Sequence, residues 1–255
     1  MQRFVRTVLI PLILGSASAC WAQQPPLIHR SISQIAVAGG WKTTLTLLNL
    51  SSSPNPVTVN FQDDNGLPLV LPLTITQEGT SQLDVSGVVT RVVPALGILR
   101  IEATGPDSSG TLTGWADVVS YGQFGGFAIF RQRGADGRDS EGTAPLESAS
   151  AGGLILPYDN SGGFATGVAI VNTGAERVSL VAVVRDESGI VLGQYGVPMI
   201  ARGHTAFVAG ERLPASQGRR GRIEFQISGS GTVTGLGLRF SSSGSFTSVP
   251  VMARQ

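Results

Sequence analysis

This sequence of 255 residues is poor in the residues that usually announce chemistry. It has one cysteine, two histidines, 14% charged residues and 6% aromatic ones. A single cysteine, Cys20, excludes an internal disulfide, so stability has to come from a hydrophobic core. Typical globular domains carry about 25% charged residues, so Gly, Ser and Thr must supply much of the polar surface here. The formal net charge of +1 excludes a strongly basic nucleic-acid binder. No C-x-x-C, H-E-x-x-H, P-loop, G-x-G-x-x-G or G-x-S-x-G nucleophile elbow occurs. His29 and His204 lie in separate regions, which leaves a zinc site short of ligands. No apolar run reaches the roughly 20 residues of a membrane span.

What is present begins with an export signature. Arg3 and Arg6 precede the apolar run Val8–Leu14, and the small residues Gly15-Ser16-Ala17-Ser18-Ala19 follow. This is the pattern of a secretory signal peptide over residues 1–22, cleaved near 19–22. The same small residues resemble a lipobox ending at Cys20, so lipidation of Cys20 and simple secretion both stay open. A cut after Ala22 would instead leave no cysteine at all. Removing Arg3 and Arg6 takes 18 basic residues to 16 against 17 acidic ones, so the formal charge passes from +1 to −1. The expected location is extracellular, periplasmic or cell-surface attached, with the membrane reached only through a lipid on Cys20.

Beyond a short spacer (23–30) the hydrophobic period is two, the period of strands. Val57, Val59 and Phe61 alternate with Thr58, Asn60 and Gln62, and Ile223, Phe225 and Ile227 alternate with Glu224 and Gln226. The chain also repeats itself. Trp41–Asn49 lines up with Phe164–Asn172, and Asp63-Asp64-Asn65-Gly66 with Asp186-Glu187-Ser188-Gly189, both at an offset of 123. Arg100-Ile101-Glu102 then lines up with Arg222-Ile223-Glu224, and Phe127 with Phe246, the offset drifting to 119 as short loop deletions would make it. Seven or eight short strands per unit predict an all-β chain of two tandem immunoglobulin-like or fibronectin-III-like β-sandwich domains. Their bounds are 31–133 and 151–255. The small, polar, unpatterned stretch 134–150 reads as a linker. Single helical turns are expected within 88–96 and 210–217.

The G-W-x-T-x-L-x-L-x-N pattern at Gly40–Asn49, the D-[DE]-x-G turn in both units and the ending Gly244–Pro250 resemble tandem immunoglobulin-like repeats of exported bacterial proteins, a functionally uncharacterised family. The resemblance implies fold and export, and no activity.

Candidate site residues are few. Trp115, Tyr121 and Phe124 would stack on sugar rings if exposed, whereas a buried Trp115 would fill the first sandwich. Trp115 and Asp117 line up with Leu236 and Leu238, so they differ between the repeats. Arg219 and Arg220 open the one basic cluster, which would take phosphate or an acidic polysaccharide unless it is a solvated turn. Asp63-Asp64-Asn65 lacks the alternate ligand spacing of a calcium loop and reads as turn chemistry. Asn49 and Asn172 are expected to hydrogen-bond their own turns. A Ser-His-Asp triad on His204 has no accompanying signature. These residues predict no catalytic residue, metal or cofactor. The expectation is a non-enzymatic structural, adhesion or protein-interaction module with a protein or cell-surface glycan as partner. The alternatives are a carbohydrate-binding module and an enzyme of unrecognised type.

Overall fold

In strand β3 (Asn55–Asp63) the alternation read from the sequence becomes geometry, with Val57, Val59 and Phe61 buried and Thr58 and Asn60 on the opposite, partly exposed side. The computed structural model describes residues 26–134 and 137–254, so the signal segment and Cys20 lie outside the described residues. The described chain is nearly all β, and all of its named strand pairs are antiparallel. Among the described residues no helix is long and apolar enough to cross a membrane.

The first half contains β1 (Ile28–Val37), β2 (Trp41–Asn49), β3, β4 (Leu71–Gln77), β5 (Thr80–Ser86), β6 (Val88–Val93), β7 (Ile98–Ala103), β8 (Leu112–Ser120), β9 (Phe124–Arg133) and β10 (Asp139–Pro145). They form sheet I, ordered β1-β8-β3-β6, and sheet II, ordered β10-β9-β2-β7-β4-β5. One core lies between these sheets, with Ile32, Leu45, Phe61, Ile101 and Phe130 among its fully buried side chains. The second half contains β11 (Gly153–Asp159), β12 (Ala165–Asn172), β13 (Val178–Asp186), β14 (Val191–Met199), β15 (His204–Val208), α1 (Ala209–Arg212), β16 (Arg220–Ser228), β17 (Val233–Phe240), β18 (Phe246–Val249) and β19 (Met252–Ala253). Sheet III runs β14-β13-β16-β11-β19 and sheet IV runs β15-β12-β17-β18. Leu156, Val184, Ile223 and Phe225 are buried in the core between them.

The two halves share a plan. Sheet I matches β11-β16-β13-β14, and the β10-β9-β2-β7 part of sheet II matches β18-β17-β12-β15. The surplus is the hairpin β4–β5, which the second half lacks. The offset of 123 therefore holds only as far as Asp63 and Asp186. Past the hairpin, Asn60 pairs with Asp117 as Val183 pairs with Glu224, which makes Trp115 the counterpart of Arg222 and Asp117 that of Glu224. The Arg-Ile-Glu match and the pairings of Trp115 with Leu236 and Phe127 with Phe246 are thus corrected: they join strands that hold different places.

Side chains support the new correspondence. The Asn49 amide donates to the carbonyls of Val93 and Pro94, and Asn172 donates to that of Ile200, so β6 and β14 end at the same anchor. Each asparagine also accepts a backbone N–H two residues on, as expected of a turn-forming Asn. Asp63 accepts from the amides of Asn65 and Leu67, and Asp186 from those of Ser188 and Ile190, so the turn reading of both acidic stretches is what the geometry shows.

Two local expectations change. The stretch 134–150 carries β10, paired with β9 along its length; Leu146 is buried in the first core, and Glu147 and Ser150 bridge to Ser31 and Val233. It is polar because β10 is an edge strand, and it ties the halves together rather than spacing them. The helical turn expected at 88–96 is strand β6, whereas the one at 210–217 is present as α1 and a 3-10 turn at Pro214–Ser216.

Sheet IV is covered on both faces. Val168 and Ile170 point into the second core, whereas Ala169 and Leu236 are buried in the first. Strand β17 alternates Gly and Leu for this reason. A side chain at Gly237 would begin 2.4 Å from Leu156 Cδ1, while Leu236 and Leu238 reach toward the first half.

Candidate functional site

The densest set of long-range polar contacts lies where the halves meet. On β8, Ala116 and Val118 face the first core, so Trp115 and Asp117 face the other way, off sheet I. The turn at 200–203, between β14 and β15, covers them. The Trp115 ring has 0% exposure, and its indole N–H donates to the carbonyl of Arg202 at 2.9 Å. The Arg202 guanidinium lies 5.4 Å from the Trp115 ring centroid, within cation–π range. It donates to Asp117 Oδ2 at 2.8 Å and to Gln62 Oε1 at 3.2 Å. His29 Nδ1 approaches the other Asp117 oxygen at 3.3 Å. Gly66 lets the first half come this close: its φ is +74°, and a Cβ there would stand 2.8 Å from the carbonyl oxygen of Ala201.

Beside this cluster His204, whose side chain is fully buried, bridges the halves. Its Nδ1 lies 2.7 Å from Asp64 Oδ1 and its Nε2 2.9 Å from Gln34 Oε1. The Gln34 amide nitrogen donates to Ile35 O, which fixes the orientation of that amide. Both ring nitrogens therefore meet oxygen atoms of the first half. The hydrogen bond from His204 holds the Asp64 carboxyl below its ordinary range; burial opposes this, and the charge of His204 and the Thr113 hydroxyl add to it.

The residues singled out from the sequence are scattered. Trp115 is a seam residue and not a filler of the first core. Phe124 is buried in that core, and Tyr121, in the turn between β8 and β9, is 37% exposed. Two of the three rings therefore offer no face to a sugar. Arg219 precedes β16, near Tyr158. Arg220 donates to Asp159 and Ser161, and Arg222 pairs with Glu224 at 3.0 Å, so carboxylates within the same half neutralise much of the basic cluster. Burial would raise the Asp159 carboxyl, but hydrogen bonds from Arg239, Ser161 and Arg220 outweigh it and hold the group far below the usual range. Among the described residues no group of three or more potential metal ligands comes together. The seam residues Gln34, Gln62 and Arg202 were missed from the sequence, and Asp64 was read only as turn chemistry; the contrast at Asp117 came from the alignment corrected above, since its counterpart Glu224 is also a carboxylate.

No family model matches this chain, and no curated protein matches it. Among solved structures, a vicilin from hazelnut (Corylus avellana) aligns over 84% of this chain and 76% of its own, with 8% identity and a TM-score of 0.23. A likeness of that degree carries no argument about fold or function.

Proposed function

We propose that this chain is an exported, non-enzymatic structural or protein-interaction module, built of two tandem immunoglobulin-like β-sandwich domains and secreted or tethered through Cys20. The shared strand order of the halves supports the domain reading. The observation that carries the functional reading is the hairpin β4–β5, present in one half only. Its outer strand β5 is the edge of the six-stranded sheet II, with Leu83 81% and Val85 70% exposed. An edge strand offers unpaired backbone groups to an incoming strand, and the exposed apolar side chains offer it a contact face. The partner is an extended segment of another exported protein, added as a strand beside β5. Asp84 turns its carboxylate back onto the Val85 amide at 2.8 Å, a contact the incoming strand would displace.

The test is crosslinking and capture from the native envelope with wild type, Leu83→Lys and Val85→Lys. The expected result is a defined partner lost in both variants while their circular dichroism is unchanged. An identical captured set in all three would overturn the reading. Saturable binding on a glycan array, abolished by Tyr121→Ala, would replace it with the carbohydrate alternative.

A further inference from the structure

The outer face of sheet IV does not fit the first half everywhere. Near the start of β2 a cavity of about 250 Å³ stays open between them. Four aromatic rings contribute to its lining, Trp41 and Phe130 from the first half and Phe207 and Phe240 from the second, with Leu236 and Ala169 between them. Trp41 and Phe240 are each held 5.4 Å from the ring of Phe246, and the Trp41 contact crosses the seam. None of the side chains lining the cavity is charged. The polar ones are otherwise occupied: Gln34 serves His204 and Ile35, and the Thr113 hydroxyl donates to Asp64. Thr111 is exposed and sits at the mouth.

Small residues keep the space open. Ala36, Gly167, Ala169 and Ala206 stand in the lining, where one larger side chain would reduce the void. Dry apolar cavities accept apolar guests, and one of about 150 Å³ is large enough for benzene. Ligand pockets also favour the junction between structural units and apolar, aromatic linings. We propose that this cavity is a binding site for an uncharged aromatic molecule somewhat larger than benzene. Entry is past Thr111 and Ala206, and ring-to-ring contact with the four aromatics supplies the recognition. A charged guest is rejected because nothing in the wall compensates the loss of its hydration. The inference is independent of the partner proposed for β5.

The test is isothermal titration calorimetry of the full chain with naphthalene, and with naphthalene-2-sulfonate as its charged counterpart. The expected result is one naphthalene per chain, with the sulfonate at least about tenfold weaker. Ala169→Leu fills the cavity and should weaken naphthalene by at least about tenfold. Should that buried substitution disturb the fold, Ala206→Trp decides, because position 206 is exposed at the mouth and a bulky ring there blocks entry. Absence of saturable binding up to the solubility of naphthalene would overturn the proposal, as would unchanged affinity in a folded Ala206→Trp variant. Equal binding of the sulfonate would overturn the assignment to uncharged ligands.

Discussion

The two halves place a buried carboxylate at the same position, Asp117 on β8 and Glu224 on β16, and use it differently. Glu224 is satisfied inside its own half, by Arg185 at 2.9 Å and Arg222 at 3.0 Å. Burial would raise its carboxyl, yet Gln226 and these two arginines hold it below the ordinary range. Asp117 instead takes Arg202 from the other half. The neighbouring position changes in the same sense: Arg222 reaches its own Glu224, whereas Trp115 is capped by the partner half's backbone. One shared strand position thus serves internal cohesion in the second half and joining of the halves in the first. A seam between repeats needs no new element when an existing carboxylate can be given an arginine from across the gap.

The comparison is broken most severely at Trp115. Trp115→Ala empties a fully buried indole site and leaves the Arg202 carbonyl without its donor, at an expected cost of about 3–5 kcal/mol. Equilibrium denaturation measures it, and a loss below about 1 kcal/mol would show that the seam contributes little. A smaller effect belongs to His204→Gln, read as a function of pH. Because the folded Asp64 carboxyl is depressed, its contribution is full above its unfolded value and is lost as pH falls through the lower folded one. Without His204 the depression is relieved, so His204→Gln should cost most above the unfolded carboxyl value and converge on wild type as pH falls through the folded one. Superimposable stability curves for the two proteins would remove His204 from the account.

The smallest effect is at Glu147, in the segment between the halves. Burial raises its carboxyl and the Thr234 hydroxyl only partly offsets this. A raised carboxyl contributes most at low pH and loses that contribution as pH rises through the folded value. Glu147→Gln should therefore stabilise the chain at pH 7 by a few tenths of a kcal/mol and do nothing in acid. Destabilisation at pH 7 would mean that the charged form has a partner in the seam.

Much of this was legible in advance, because the signals were local. Alternation in β3 and β16, the Asp63 and Asp186 turns and the bonds that Asn49 and Asn172 make within their own turns each depend on a few neighbouring residues. What failed depended on distant ones. The hairpin β4–β5 has the composition of any other strand pair, so a chance Arg-Ile-Glu match hid it and misaligned everything after it. Strand β10 was invisible because an edge strand needs few apolar residues. Trp115 is buried, as one of its two readings had it, but outside the first core, by residues 87 positions away. The Leu-Gly alternation of β17 looks like an ordinary half-buried strand until the first half is seen packed against its leucines.

Sheet IV, enclosed on both faces, has a consequence for the order in which the molecule opens. Exchange of a backbone proton for deuterium requires its hydrogen bond to break in the presence of water, and away from the cavity mouth at Ala206 this sheet is largely shielded from water until one of its two coverings has left. The amides of β12 and β17 should then exchange most slowly of all, at the rate of global unfolding. Those of β5 and β19, each bound along a single neighbour, should exchange long before, so one deuterium time course would rank the strands from the rim of the molecule to its middle layer.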